Sequence, residues 1–376
     1  MSNATARIVA RPTAAIARLK AYDPGHDLVA LRARATPQPL AELGSNESPL
    51  GPPAAVFEAL AAISPETLWR YPDPRGGLLK RALADQHGVD PAQIVLGNGS
   101  HELLMLLGQG FAGPGDEVLC SEFSFAVFAL SALAVGATPV YAPANLRSDA
   151  MPRGHALDAL ANAVSERTRL IFLANPNNPT GTWLGRDELA RFVRQVPAQV
   201  PIVIDEAYVE YLDAPGADSA LGLCAEHPNL IVTRTFSKAF GLAGLRVGWL
   251  LADPGVVAVI ERLRESFNVG ALGLVLATAA LSQPEHLARV RAHAAAARAA
   301  LTAALVALGV FVHPSQTNFL LVDFERDAAP IERALIARGV VTRPMVGYGL
   351  PSCLRINFGM PADHARLLDA LTGALQ

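Results

Sequence analysis

Cysteine is scarce: Cys120, Cys224 and Cys353 are the only three in 376 residues, with no CxxC spacing. This argues against a disulfide framework or a thiolate zinc site and suits a reducing cytoplasm. Each thiol reads as a small buried apolar residue rather than a reactive group. An excess of one charge is also missing. The 31 Lys+Arg and 34 Asp+Glu leave a formal charge of −3, so nothing basic points to nucleic acid or an anionic membrane. The longest apolar stretch, residues 269–281, is too short and too glycine-bearing to span a bilayer. The first residues mix Arg7, Arg11, Arg18 and Lys20 with alanines and show no continuous apolar segment of secretory type. A soluble, cytoplasmic protein with a small-molecule partner is the expectation.

What is present is apolar: hydrophobic residues make up 51% of the chain, ample for a large core in two or three domains. Residues 1–45 read as an arm that packs with the smaller domain or with a partner subunit. Residues 46–280 alternate short β-branched runs with helical patterns, as a mainly parallel sheet covered by helices does. Strands are expected at 93–96, 117–120, 138–141, 170–173, 202–204, 230–233 and 247–251. Residues 281–376 read as a smaller α/β domain. It holds an alanine-rich helix over 285–308, strands at 310–313, 319–323 and 353–358, and a helix near 330–338. His293, inside the alanine-rich pattern, reads as a solvated side chain.

In open α/β sheets ligands collect beyond the carboxyl ends of strands, so polar residues just after apolar runs come first. Four segments qualify. Gly97-Asn98-Gly99-Ser100-His101-Glu102 leads into a helical run and could bring backbone amides to a phosphate, or could be a plain strand-to-helix turn. It reads GxGxxE, so the dinucleotide fingerprint is incomplete. Asn175-Pro176-Asn177-Asn178-Pro179-Thr180-Gly181 is either a tight turn or a specific loop. Asp205 ends a buried strand, where a carboxylate needs a cationic or hydrogen-bonding partner; a helix cap would also use it. Lys238 lies in Thr235-Phe236-Ser237-Lys238-Ala239-Phe240-Gly241, poor in other charge, with Arg246 eight positions on. Such a lysine is either solvated or a desolvated amine that forms a Schiff base with an aldehyde cofactor.

With these segments in hand, the sequence resembles the fold-type I pyridoxal-phosphate enzymes, and within them the histidinol-phosphate aminotransferase family. The markers run in order along nearly the whole chain. They are Asn46-Glu47-Ser48-Pro49-Leu50-Gly51, Arg70-Tyr71-Pro72, Gly97-Asn98-Gly99-Ser100, Asn178-Pro179-Thr180-Gly181, Asp205-Glu206-Ala207-Tyr208, Ser237-Lys238, Gly244-Leu245-Arg246 and Leu354-Arg355-Ile356.

The resemblance implies an aspartate-aminotransferase-like α/β fold and pyridoxal 5'-phosphate as cofactor. Lys238 becomes the catalytic lysine holding the cofactor as a Schiff base, and Asp205 the partner of the pyridine nitrogen. Asn178 and Tyr208 become donors to the ring oxygen, and Phe125 the ring stacked on the pyridine. Ser100, His101, Thr235, Ser237 and Arg246 are implied at the phosphate, with Tyr71 reaching in from the partner of a homodimer. Arg355, Arg343, Tyr22, Asn46, Tyr71 and Asn178 are implied at the substrate. Bidentate arginine suits carboxylate and phosphate alike.

The reaction implied moves an amino group from histidinol phosphate to 2-oxoglutarate. An aromatic amino acid aminotransferase and a threonine-phosphate decarboxylase are the neighbouring readings. A nicotinamide dehydrogenase would use the glycine turn but leave Lys238 and Asn178 without a role. A cofactor-binding regulator would need a nucleic-acid module that the arm is too short to form. Two positions depart from the family pattern. His101 stands where an acidic residue is common, and Asn357-Phe358-Gly359-Met360 replaces smaller polar residues beside the substrate arginine.

Overall fold

The computed structural model describes residues 12–17, 19, 25–33 and 39–375. Its strands are β1 (Ala41–Glu42), β2 (Ile94–Gly97), β3 (Glu117–Ser121), β4 (Thr138–Ala142), β5 (Thr168–Ala174), β6 (Ile202–Asp205), β7 (Leu230–Thr235) and β8 (Gly248–Leu251). They continue with β9 (Phe311–Val312), β10 (Phe319–Asp323), β11 (Val340–Val341), β12 (Arg343–Pro344) and β13 (Cys353–Asn357). The seven apolar runs expected over 93–251 form a single seven-stranded sheet in the order β2-β8-β7-β6-β5-β3-β4.

Every pair in this sheet is parallel except the two made by β8, which runs against both β2 and β7. Leu170, Phe172 and Ala174 of β5 enter one core cluster, and Ile171 and Leu173 enter another on the opposite face. Both faces are therefore covered, which is why these strands read as continuous apolar runs rather than alternating ones. The topology brings the carboxyl ends of β2, β5, β6 and β7, together with the start of β8, to one edge. That edge carries Gly97, Ala174, Asp205, Thr235 and Gly248.

A four-stranded antiparallel sheet, β12-β13-β10-β9, follows the helix Pro284–Ala307. It is backed by the helices Ala329–Ala337 and Pro361–Leu375. The latter was not among the sequence expectations; it buries Leu367, Ala370 and Leu371 at helical spacing. The two-residue β1 pairs in parallel with β11, and Ala41 and Leu43 join the core of this smaller unit. His293 corrects its sequence reading: it is half-buried and within 3.1 Å of the Gly359 carbonyl. Cys120 and Cys353 are buried, while Cys224 is half-buried. No described helix is long and apolar enough to cross a membrane.

Candidate active site

A cavity of about 270 Å³ opens at the carboxyl edge of the large sheet, between it and β12-β13. Asn46, Ser100, His101, Phe125, Asn178 and Asp205 line it, together with Tyr208, Thr235, Ser237, Lys238, Arg246, Arg343 and Arg355. These are the sequence-expected residues, brought together from eight separate segments. Tyr71 is the exception. It is 82% exposed and stacks on Phe267 at a centroid distance of 4.5 Å, so this single chain does not bring it to the cavity. Tyr22 lies outside the described residues.

Lys238 sits three residues beyond β7 in a turn closed by the Gly241 amide donating to the Lys238 carbonyl. Gly241 holds φ +68, and a side chain there would strike the Gly51 carbonyl, so only glycine lets the lysine loop pass this close. The half-buried Lys238 Nζ donates to the Ser45 carbonyl at 3.2 Å. Burial first, then the Arg355 charge, pulls its pKa from 10.5 down to about 8. The amine is thus available as a nucleophile and base far closer to neutrality than an ordinary lysine.

Asp205 ends β6 at 3% exposure, and its Oδ1 accepts from the Thr233 hydroxyl at 2.9 Å. Burial raises its pKa from 3.8 to about 7, against the opposing pull of Thr233 and Lys238. Its polar partners leave the cost of burying a carboxylate largely unmet, and a cationic ring nitrogen in the cavity would meet it.

Across the cavity the chemistry is that of an anion site. The helix Ser100–Phe111 begins at Gly99, and Ser100 and His101 present first-turn amides there. Gly248 lies against this turn: a Cβ on it would sit 2.3 Å from the Ser100 nitrogen. Arg246, held at φ +54, donates to Ser237 Oγ at 3.2 Å and packs against Gly99. Thr235 Oγ1 accepts from the Ser237 amide at 3.0 Å. Burial, followed by the Arg246 charge, lowers the His101 pKa and favours a neutral imidazole.

The remaining side chains form a network. Tyr208, stacked edge-on to Phe319, accepts from Asn46 Nδ2 at 2.8 Å. Arg355 donates to Asn178 Oδ1 at 2.6 Å and to the Gly44 carbonyl at 2.9 Å, with its guanidinium over the Phe319 ring. The sequence reading placed both Asn178 and Arg355 at the substrate, with Asn178 also at the cofactor ring; the direct hydrogen bond between them was not foreseen. Gly44, Ser45, Pro176, Ala207 and Tyr348 also line the cavity and were not singled out. Gly44 and Ser45 abut the Asn46-Glu47-Ser48-Pro49 string, so position was a usable signal for them, whereas Tyr348 lies in a short helical turn with no motif around it.

A family model for aminotransferase class I and II matches residues 38–371, and the chain belongs to that family. Histidinol-phosphate aminotransferase 2 of Pseudomonas aeruginosa is 44% identical to it over 358 residues, 95% of each chain. Histidinol-phosphate aminotransferase of Rhodospirillum centenum is 46% identical over 336 residues, 88% of this chain and 91% of that one. The crystal structure of histidinol-phosphate aminotransferase from Sinorhizobium meliloti, solved with pyridoxal-5'-phosphate, superposes with a TM-score of 0.87 at 31% identity over 98% of both chains. The fold-type I architecture expected from the sequence is the one observed.

Proposed function

We propose that this chain is a pyridoxal 5'-phosphate-dependent aminotransferase of histidine biosynthesis. It converts histidinol phosphate and 2-oxoglutarate to imidazole acetol phosphate and glutamate. The relatives named above support this assignment, and one observation in the fold points to the phosphorylated donor. Arg343 and Arg355 are directly opposite one another in the β12–β13 register, and both line the cavity. Like charges at opposed positions destabilise a strand pair, so an anion of high charge between them would relieve the repulsion. A phosphate monoester meets that need better than a single carboxylate.

The bound cofactor supplies an aldehyde that takes up the amino group and a pyridinium ring that accepts the electron pair left when the α-proton departs. The chain's residues do the rest. Lys238 Nζ is the amine that would hold the cofactor's aldehyde, and, once free, it would move the proton at the substrate's α-carbon. Asp205 keeps the ring nitrogen protonated. Asn178, Tyr208 and Phe125, which line the same cavity, would hold the cofactor ring. Ser100, His101, Thr235, Ser237 and Arg246 take the cofactor phosphate. Arg355, Arg343, Asn46 and Tyr22 orient the substrate. Proton transfer by a positioned base contributes about two to four powers of ten.

The working unit in this reading is a cytoplasmic homodimer in which Tyr71 completes the site of the partner subunit. Leu68, Trp69, Tyr71 and Leu78 are each at least 67% exposed, an apolar surface that a second copy would cover. Residues 46–280 and 281–376 form the two domains, with residues 1–45 as the arm.

Glutamate formation from 2-oxoglutarate with histidinol phosphate, phenylalanine or threonine phosphate as donor tests the substrate. Turnover of histidinol phosphate above the other two is expected. Turnover of phenylalanine alone would replace the assignment with an aromatic aminotransferase, and carbon dioxide released from threonine phosphate would replace it with a decarboxylase.

A further inference from the structure

The glycine turn departs from the dinucleotide fingerprint at its last position, where Glu102 stands in place of glycine. Glu102 is the third residue of the helix Ser100–Phe111, whose N-cap, Gly99, has no side chain with which to cap it. In a capping box the third residue reaches back to a backbone amide at the helix start. Glu102 performs that half alone: its Oε2 accepts from the Asn98 amide at 2.6 Å. The same oxygen accepts from Asn268 Nδ2, also at 2.6 Å. Asn268 Nδ2 lies 3.2 Å from the Leu96 carbonyl as well, so one amide group is bonded to the strand side and the helix side of the turn.

The clamp continues outward. Asn268 Oδ1 accepts from Arg264 Nη1 at 2.7 Å, and Arg264 Nη2 donates to the Pro74 carbonyl at 3.1 Å. The turn itself has little stiffness of its own. Gly97 and Gly99 are joined by a 2.8 Å backbone hydrogen bond, and Gly99 sits at φ +79. Glycine backbones reach many conformations at similar energy, so order here must be imposed from outside. Hydrogen bonds to a carboxylate are of the stronger, charge-assisted kind. The charge itself works against a phosphate at the same helix end, because both anions draw on one dipole. Any gain for phosphate binding therefore comes through position.

We propose that Glu102, with Asn268, is a positioning residue that fixes the Gly97–Ser100 turn in the conformation that presents the Ser100 and His101 amides to the cofactor phosphate. This rests on the reading that those amides take that phosphate. The test is equilibrium titration of apo-enzyme with pyridoxal 5'-phosphate and with pyridoxal, which lacks the phosphate, for wild type, E102A, E102Q and N268A. Wild type binds the phosphorylated form far more tightly; equal affinities would overturn the phosphate reading itself.

E102A is expected to lose about tenfold in affinity for pyridoxal 5'-phosphate, while pyridoxal stays within about twofold. E102Q keeps an oxygen that can accept both hydrogen bonds and stays within about threefold of wild type. N268A loses about threefold and decides the matter if E102A does not fold. Unchanged affinity in E102A and N268A, an equal loss for both ligands, or a loss in E102Q matching that in E102A would overturn the proposal.

Discussion

Arg355 Nη1 lies 2.6 Å from Asn178 Oδ1, a hydrogen bond between residues 177 positions apart that joins β13 to the loop after β5. Arg355 is 7% exposed and Asn178 8%, so the pair is nearly closed to water before any substrate arrives. An incoming anion therefore meets a guanidinium already oriented, with the Phe319 ring behind it.

In the proposed function that guanidinium grips the substrate anion, so removing it would remove a charge-assisted contact. Arg355→Ala should lower kcat/KM by about 10- to 100-fold, mostly through KM. Arg355→Lys should recover little, because an ammonium cannot keep the bonds to both Asn178 and the Gly44 carbonyl and grip an anion together. Steady-state kinetics with histidinol phosphate checks both; a change confined to kcat would count against a binding role.

Lys238 carries the pH prediction. Because its pKa is lowered to about 8, the neutral amine predominates above pH 8 rather than above 10.5. The rate at which apo-enzyme recombines with pyridoxal 5'-phosphate, followed by visible absorption, should rise about tenfold per unit below pH 8 and level off above it. A midpoint near that of free lysine would show that desolvation does not act on this amine. Lys238→Ala should lose at least about two to four powers of ten in turnover; near-normal turnover would remove the lysine from the mechanism.

Asp205 couples stability to pH in the apo-enzyme. Its folded pKa, about 7, lies above the ordinary 3.8, so the folded state binds the extra proton between those values. Ionising Asp205 thus destabilises the apo fold as pH rises through 7, and the penalty is absent below about pH 4. Asp205→Asn should melt about 3–5 °C above wild type in the apo form at pH 8, with the gap closing as pH falls. A gap independent of pH would place the effect elsewhere. In the presence of cofactor the same variant should turn over about two to three powers of ten more slowly.

Subunit mixing tests Tyr71. Y71A and K238A homodimers should each be impaired. If Tyr71 serves the partner's site, mixing and re-equilibration should restore up to about a quarter of wild-type sites, since each heterodimer keeps one intact site. No recovery on confirmed exchange would keep Tyr71 out of the neighbouring site.

How much of this was legible beforehand follows from the range of the forces involved. Six strands of the large sheet declared themselves because strands buried on both faces need unbroken apolar runs, a property of a few adjacent residues; the edge strand β4, with Thr138 and Tyr141 exposed, is the exception. Lys238, Asp205, Asn178 and Arg246 were legible for a similar reason: each sits in a short string at a strand end, where the sheet's topology collects polar groups.

Other features had no local trace. The two-residue β1 pairs with β11 about 300 positions away, and no pattern so short identifies a strand. The opposition of Arg343 and Arg355 is a matter of register, and the hold of Glu102 on Asn268 spans 166 positions. The sequence by itself determined the kind of sheet and, through the family it resembles, the cofactor chemistry, and it marked Lys238 as the lysine to test. Only the tertiary structure decided that Asp205 is buried deeply enough to titrate near neutrality, that Lys238 falls to about 8, and that Asn178 is held by Arg355. Desolvation and pairwise distance exist only once distant segments have packed together.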